Sequence, residues 1–311
     1  MIDTAFQLGE PVEHRGIVVT PLFPRRDPLA AYITLDEALP RGLRITETSA
    51  SGEVPELDLH NPLEENVLLY DGEELVGAKQ NRILNVTVLA AAKTRLTIPV
   101  SCVEEGRWRD VSAQFGAAPH NSHPDLRRRK AEALAAQPLA RGLAQGEVWD
   151  AVREKSARMH VHSPTGASSD LYRSYERDLR SLESAFPAQP GQCGAVFGIG
   201  RDMCLDVVSR PDAFAHLWPK LRSGYMLAAL ELLDGQPTPY GEIEALLSAG
   251  DECDWSRAPS AGLGDDVRLR GARVIGSGLE LEGELIQLSV FRSEEGGRRA
   301  FGRIARPSRR R

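Results

Sequence analysis

The feature that most constrains the fold is a series of short apolar and β-branched runs in the first hundred residues. Runs such as GIVVTPLFP (16–24), NVTVL (85–89) and LTI (96–98) are separated by Gly, Pro and charged residues. Residues of this kind favour strands, and short strands at this density are typical of a sandwich or a roll. The sequence therefore predicts an α+β fold whose N-terminal part, residues 10–108, is rich in strands.

The pattern changes after Trp108. Residues 109–125 contain Gly and Pro and are predicted as a loop, and amphipathic helical patterns follow it. The predicted helices span 125–136, 146–159 and 169–185. Residues 109–190 are therefore expected to form a helical middle segment.

Strands return in residues 191–295, which we expect to be an α+β part. A hairpin turn at Gly200-Arg201 would place Cys193 opposite Val208 and Cys204 opposite Phe197, so no disulfide is expected between these cysteines. Helices are predicted to start near Pro211 and after Pro219, ahead of a loop-rich stretch (234–265) around a short helix. The last predicted strands are 267–275, 279–282 and 285–291, and a basic tail (296–311) ends the chain.

Composition and charge exclude several classes of protein. The formal net charge is −6, which does not favour a nucleic-acid or anionic-membrane surface. No apolar run is long enough to span a membrane, and no signal peptide is recognised at the N-terminus. We therefore expect a cytoplasmic protein that binds neither nucleic acid nor membrane.

No cofactor or metal motif is found. Gly198-Ile-Gly200 lacks the third glycine and the helix of a dinucleotide loop, and neither a P-loop nor a GxSxG elbow occurs. The pairs His120/His123 and His160/His162 fit exposed or structural histidines better than metal ligands. No cofactor and no metal site is predicted.

The densest chemistry lies in residues 72–108. Polar side chains crowd before one apolar run, and charged residues with glycine and tryptophan follow another, as at the rim of a pocket. The candidate ligand-binding residues are Lys79, Gln80, Asn81, Arg82, Asn85, Glu104, Arg107 and Trp108.

These residue types suit an anionic small molecule. Arg82 and Arg107 can bind phosphate or carboxylate through a guanidinium fork, and Lys79 can do so as a point charge. The three amides can donate and accept, and Glu104 could orient Arg107 or a ligand hydroxyl. Trp108 offers a flat face for a base or a sugar.

A structural interpretation stands beside this one. The same groups could satisfy one another in a buried network, which would have to be fully paired. Lys79 favours function because it is one of only five lysines in an arginine-rich chain, and a desolvated lysine can be a base or a nucleophile. Lys79 and Glu104 are the catalytic candidates, and Cys102, inside an apolar strand, is a weaker one.

Four stretches resemble the bacterial family named for its association with ADP-ribosylglycohydrolases and rhodanese-phosphatase-superfamily proteins. They are DGEELVGAKQNRILN (71–85), IPVSCVEEGRW (98–108), QGEVWDAV (145–152) with SPTGA (163–167), and GQCGAVFGIG through LWPKLRSGY (191–225). The likeness extends over residues 10–295 and implies a single domain. It brings no established catalytic residues, but it implies a setting of ADP-ribose or nucleotide-linked modification.

Two functions follow as hypotheses. The first is an accessory or small-molecule-binding module for an anionic, nucleotide-like or ADP-ribose-like ligand. On this hypothesis the chain also associates with ADP-ribosylglycohydrolase-type enzymes. The second is a hydrolase or transferase acting on an ADP-ribosyl or other phosphate-containing substrate. The first is favoured because the sequence shows no nucleophile–base pair and no metal set. A purely structural partner of the neighbouring enzymes is a third possibility.

Overall fold

The computed structural model describes residues 2–49, 52, 55–136 and 145–293, so the basic tail lies outside the described residues. The helices are α1 (Ile2–Ala5), α2 (Leu35–Ala38), α3 (Pro124–Ala136), α4 (Gln145–Arg158), α5 (Ser169–Ser174), α6 (Glu176–Glu183), α7 (Pro211–Ala229) and α8 (Tyr240–Asp251), with a 3₁₀ turn at Leu39–Arg41. The first strands are β1 (Phe6–Leu8), β2 (Val12–His14), β3 (Ile17–Pro24), β4 (Ile33–Thr34), β5 (Arg44–Glu47), β6 (Glu56–Asn61), β7 (Val67–Leu69), β8 (Glu73–Gly77) and β9 (Arg82–Leu84). The remaining strands are β10 (Val88–Ala90), β11 (Thr94–Cys102), β12 (Phe115–Asn121), β13 (Gly194–Ile199), β14 (Asp202–Val208), β15 (Asp254–Pro259), β16 (Asp265–Arg270), β17 (Val274–Leu281) and β18 (Glu284–Arg292).

Within the described residues these strands form three sheets. The largest has nine strands in the order β1-β3-β13-β14-β18-β17-β16-β15, with β2 added to β3. A six-stranded sheet has the order β12-β8-β9-β11-β6-β5, and a three-stranded sheet has the order β10-β7-β4. Together with the helices they confirm the α+β prediction. No helix in the described part of the chain is both long and apolar enough to cross a membrane.

The centre of the nine-stranded sheet is covered on both faces. Successive side chains of a strand point to opposite faces, so Val18 and Val196 pack with α8 on one face. Val19 and Phe197 pack with α7 on the other. This double burial explains why β3 and β13 are continuous apolar runs rather than alternating ones.

The six-stranded and three-stranded sheets share a separate apolar core. It includes Ile45 and Leu57 from the larger sheet and Leu69 and Val88 from the smaller one. The two sheets therefore form the sandwich-like N-terminal part that the strand pattern predicts. Strands β1, β2 and β3 belong instead to the nine-stranded sheet, because β1 and β2 pair with β3 and β3 pairs with β13.

The hairpin prediction at Gly200-Arg201 is confirmed. Strands β13 and β14 pair so that Phe197 lies opposite Cys204, and the Val208 amide donates to the Cys193 carbonyl. Both cysteines are buried free thiols.

The loop prediction for 109–125 is wrong in its second half, where the chain forms β12. This strand lies at the edge of the six-stranded sheet and pairs with β8. Its register shifts between Ala117 and Asn121, and Pro119 lies within this irregularity. Proline is tolerated at edges and bulges because no ladder bond is lost there. The edge strand β15 in the loop-rich stretch is missed for a related reason, since most of its residues are exposed.

Three other boundaries differ from the prediction. Helix α7 runs through Pro219 without ending, because its residues are buried along most of its length and tertiary packing compensates for the lost bond. The predicted helix 169–185 is two helices that meet at Tyr175, whose φ and ψ are −112° and 17°. The turn 271–273 separates β16 from β17, where the sequence pattern runs on as one strand.

Asp71-Gly72, a dipeptide that predicts a hairpin turn between apolar runs, is a turn but does not join a hairpin. Strand β7 pairs with β4 and β10, whereas β8 pairs with β9 and β12, so the turn carries the chain from one sheet to the next. Gly72 has φ of +81°, which glycine adopts without strain. The turn places Asp71 between the two sheets, where it meets α3.

A buried ionic cluster lies where the sandwich-like part, α3, α7 and the nine-stranded sheet meet. Arg127 of α3 binds Asp206 of β14 in a two-pronged contact, at 2.8 and 2.6 Å, and also contacts Asp71. The hydroxyls of Tyr70 and Tyr225 donate to the same Asp206 carboxylate at 2.7 and 2.6 Å. We call these five residues, with Lys130 and Ser289, the central ion cluster; Lys130 binds Asp71, and Ser289 donates to Asp206.

Asp206 is fully buried yet ionised. Burial acts to raise its pKa, but the charge and hydrogen bonds of Arg127, with the hydroxyl donors, hold the pKa below its usual value. The same attraction raises the pKa of Arg127 well above the ordinary value, against the effect of burial. A buried pair is tolerated when every lone pair and proton has a partner, and the Asp206 carboxylate meets that condition.

We predict that Asp206→Asn lowers the free energy of unfolding by about 3–5 kcal/mol, because the buried charge of Arg127 would lose its two-pronged carboxylate and keep only the single 3.3 Å contact with Asp71. The control is Asp212→Asn, an exposed carboxylate paired with Arg210, which should cost no more than about 1 kcal/mol. Denaturant unfolding of both variants is the measurement. Equal, small losses in the two variants would contradict this role of the cluster.

Candidate functional site

The candidate site forms at the tip of the β8–β9 hairpin. In that hairpin Leu75 pairs with Arg82, and the chain turns back after Gly77, which has φ of +127°. This conformation suits glycine and strains other residues. On its other side β9 pairs with β11, which sets Arg82 opposite Cys102. The chain that follows Cys102 therefore lies at the same end of the sheet as the hairpin tip.

Arg107 ties these two segments together. Its guanidinium contacts the Glu104 carboxylate at 2.6 and 2.8 Å and the Asn81 side-chain oxygen at 3.0 Å. It also donates to the backbone carbonyls of Gly77 and Ala78 at the hairpin tip. Every guanidinium nitrogen has an acceptor. Arg107 therefore holds the two segments together, and in this arrangement it has no nitrogen left to bind a ligand.

Glu104 is also saturated. Its carboxylate accepts from the Asn81 backbone N–H at 3.1 Å and from the Thr165 hydroxyl at 3.0 Å, besides Arg107. Burial acts to raise its pKa, but these donors outweigh burial and lower the pKa below the usual value. Glu104 is therefore an ionised, fully occupied carboxylate at neutral pH.

Arg82 differs from Arg107 because its bonding is incomplete. It is 0% exposed, and one terminal nitrogen donates to the Gln80 side-chain oxygen at 3.0 Å and to the Cys102 sulfur at 2.6 Å. Its Nε and Nη2 have no hydrogen-bond partner among the described residues. An unsatisfied buried donor costs about 1–3 kcal/mol, so this position carries an energetic penalty that its own neighbours do not relieve.

The nearest carboxylate to those free donors belongs to Glu47, a residue that the sequence reasoning missed. Its Oε1 lies 3.8 Å from Nη2 of Arg82, which is too far for a hydrogen bond. Its other oxygen, Oε2, has no partner within the described chain. The available signal was the alternation of β5, in which Ile45 points inward and Glu47 takes the next inward position.

Lys79 and Trp108 form the surface of the site. The Trp108 ring lies over Arg82, with 5.8 Å between the ring centroid and the guanidinium carbon, and is 50% exposed. The Lys79 ammonium is 3.1 Å from the carboxylate of Asp110, which is itself exposed. We call Glu47, Lys79, Arg82 and Trp108 the hairpin-tip site.

The other predicted residues have supporting or separate positions. Gln80 donates to the Glu104 carbonyl, and Asn81 bridges Arg107 to Glu74. Asn85 does not belong to this group, since its side chain accepts from Ser101 farther along the sheet.

A chain of buried polar contacts runs inward from the site. Glu74 accepts from Asn81 through one oxygen and contacts the His120 ring through the other, each at 3.0 Å. The His120 ring stacks on Tyr172 with centroids 3.6 Å apart. His120 is thus a packed, paired histidine. Among the described residues, no three His, Cys, Asp or Glu side chains are grouped as metal ligands.

Two further stretches of the family resemblance meet at this place. The Gln145 side chain donates to and accepts from the Cys102 backbone, both at 2.8 Å. Thr165 binds Glu104 through its hydroxyl and accepts from the Gly106 amide through its carbonyl. Segments that are distant in sequence therefore fix the chain after β11 from both sides.

We predict that Cys102 reacts slowly in the folded protein. Burial raises the pKa of its thiol to about 11, so little thiolate exists at pH 8, and thiolate is the reactive form. Labelling at pH 8 followed by mass spectrometry should modify the half-buried Cys253 first and modify Cys102 only after unfolding. Fast labelling of Cys102 in the folded state would contradict this prediction and would favour Cys102 as a nucleophile.

These observations define an α+β protein in which an arginine-rich polar site is built at a hairpin tip. The family model of the ARG and Rhodanese-Phosphatase-superfamily-associated Protein domain, ARPP-1, matches residues 5–291, and the chain belongs to this family. Comparison with curated proteins and with solved structures gave no significant match.

Proposed function

We propose that this chain is an accessory module that binds an anionic small molecule of the nucleotide or ADP-ribose type at the hairpin-tip site. The family name records an association with ARG and rhodanese-phosphatase-superfamily proteins, which supports a ligand connected with ADP-ribose or phosphate chemistry. On the same ground we propose that ADP-ribosylglycohydrolase-type enzymes are its partners.

The observation that carries the proposal is the incomplete bonding of Arg82. Two guanidinium nitrogens are buried without a hydrogen-bond partner in the described structure, and the nearest carboxylate is too distant to serve. A phosphate presents several acceptor oxygens in a geometry that matches adjacent guanidinium N–H groups, and such bonds are charge-assisted. Binding would therefore supply the hydrogen-bond partners that the described residues do not provide.

Access to Arg82 requires the Trp108 ring to move. This ring is half exposed and lies directly over the guanidinium, so displacement toward solvent uncovers the free donors. The displaced ring then offers its flat face to the base or sugar of the ligand. Lys79 supports the same ligand, since its present partner Asp110 is an exposed residue that a phosphate can replace.

Asn81, Glu104 and Arg107 act as positioning residues in this proposal. Their mutual bonds fix the carbonyls of the hairpin tip and the start of the segment that carries Trp108. A rigid supporting layer of this kind keeps a binding site in its productive geometry. The hydrolase or transferase hypothesis receives less support, because Glu104 is ionised and occupied and the pKa of Cys102 is raised.

Calorimetric titration with ADP-ribose, ADP and AMP tests the proposal. Wild type should bind, and ligand at 100 times its dissociation constant should also add about 2.7 kcal/mol of stability in a thermal shift. Trp108→Ala should weaken binding about tenfold through lost stacking, and Lys79→Gln should do so through a lost charge-assisted bond.

The matched control is Lys93→Gln, which removes an exposed lysine paired with Glu64 and should leave the dissociation constant unchanged. Binding that survives both Trp108→Ala and Lys79→Gln would place the ligand elsewhere. Turnover of the ligand by wild type, abolished in Glu104→Gln with folding retained, would favour the enzyme hypothesis instead.

A further inference from the structure

The outer face of strands β5, β6 and β11 carries a second arrangement of charged side chains. In the strand register Arg44 lies opposite His60, and His60 lies opposite Arg95 on its other side. The next row on the same face, two residues along each strand, is Thr46, Asp58 and Thr97. These six residues line a groove of about 390 Å³, which we call the outer-face groove.

The register of these rows is fixed by the opposite face of the sheet. Ile45, Leu57, Leu59 and Ile98 point inward and are buried in the core of the sandwich-like part. A slip of one residue would expose that apolar set and bury the charged one. The two rows are therefore a permanent feature of the folded chain, about 6.7 Å apart along the strands.

Neither arginine of the groove has a carboxylate partner among the described residues. Most arginines in the described chain form a salt bridge, but for Arg44 and Arg95 none is found with any described residue. Arg44 donates to the Gln114 side chain at 3.0 Å, which leaves its charge uncompensated. Both side chains are exposed and lie on either side of His60, so one row of the groove is a concentrated cationic strip.

The neighbouring row limits what this strip can bind. Asp58 is the middle residue of this second row and is exposed. An extended polyanion bound to the arginines would therefore meet a carboxylate one row away. A carboxylate between two threonine hydroxyls instead accepts hydrogen bonds from ligand hydroxyls. The volume of the groove falls in the range of small-molecule sites.

We propose that the outer-face groove binds a sugar phosphate, with the phosphoryl group on Arg44, His60 and Arg95 and the sugar hydroxyls on Asp58. The residues differ from those of the hairpin-tip site, so this inference stands independently of the proposed function. The same chemistry occurs in a free pentose phosphate and in the ribose phosphate part of a nucleotide.

Calorimetric titration of the full chain with ribose 5-phosphate, AMP and inorganic phosphate tests the proposal. Ribose 5-phosphate should bind, and the double variant Arg44→Gln/Arg95→Gln should weaken it at least about tenfold, or about 1.4 kcal/mol. Asp58→Asn should weaken ribose 5-phosphate while leaving inorganic phosphate equal or tighter. The control Arg177→Gln, which replaces an exposed arginine on α6, should change the binding of neither ribose 5-phosphate nor inorganic phosphate.

Tighter binding of AMP than of ribose 5-phosphate, with the same loss in the double variant, would indicate that the natural ligand is a nucleotide. Tighter binding of ribose 5-phosphate would indicate a free sugar phosphate.

Three results would overturn the proposal. One is the absence of ribose 5-phosphate binding at millimolar concentration, and another is binding unaffected by the double variant. The third is a duplex oligonucleotide that binds more tightly than either small ligand and is lost in that variant.

Discussion

The contact between Arg127 and Asp206 is the interaction on which the architecture depends. Helix α3 supplies the arginine and the nine-stranded sheet supplies the carboxylate, while Asp71, from the turn between two other sheets, adds a second carboxylate. Tyr225 brings α7 to the same point. Because a buried charge is costly unless its partners are in place, the elements are constrained to meet in one geometry, and apolar packing fills the space around it.

At the candidate site a buried charge lacks part of its hydrogen bonding. All three guanidinium nitrogens of Arg127 donate to Asp206 or Asp71, whereas Arg82 keeps two buried nitrogens without partners among the described residues. A buried arginine with unsatisfied nitrogens fits a functional site, where stability is given up for binding. The lysines illustrate the same contrast. Lys130, Lys155 and Lys220 are buried in ion pairs, and Lys79 is the partly exposed one at the site.

Local patterns predicted much of the fold, and contacts between distant segments decided the rest. The β13–β14 register followed from alternation and a glycine turn. The edge strand Phe115–Asn121 was missed because Pro119 is tolerated only at an irregular edge, and Asp71-Gly72 joins two sheets, which short-range signals cannot show. At the candidate site, the sequence proposed Arg82 and its neighbours as ligand-binding residues, but it could not show that Arg107 is saturated or that Glu47 approaches from another strand, since both depend on sheet register.

The central claim is that Arg127 is a fully hydrogen-bonded charge that stabilises the fold, and that Arg82, with only a 3.8 Å ion pair to Glu47 and two nitrogens without hydrogen bonds, is kept for a ligand. The direct test is the free energy of unfolding, without ligand, of Arg127→Met and Arg82→Met. Breaking a paired buried charge should cost Arg127→Met about 3–5 kcal/mol, whereas Arg82→Met should stay within about 1 kcal/mol of wild type or exceed it. A loss of about 3 kcal/mol or more in Arg82→Met would show that Arg82 is part of the structural network and would contradict the account.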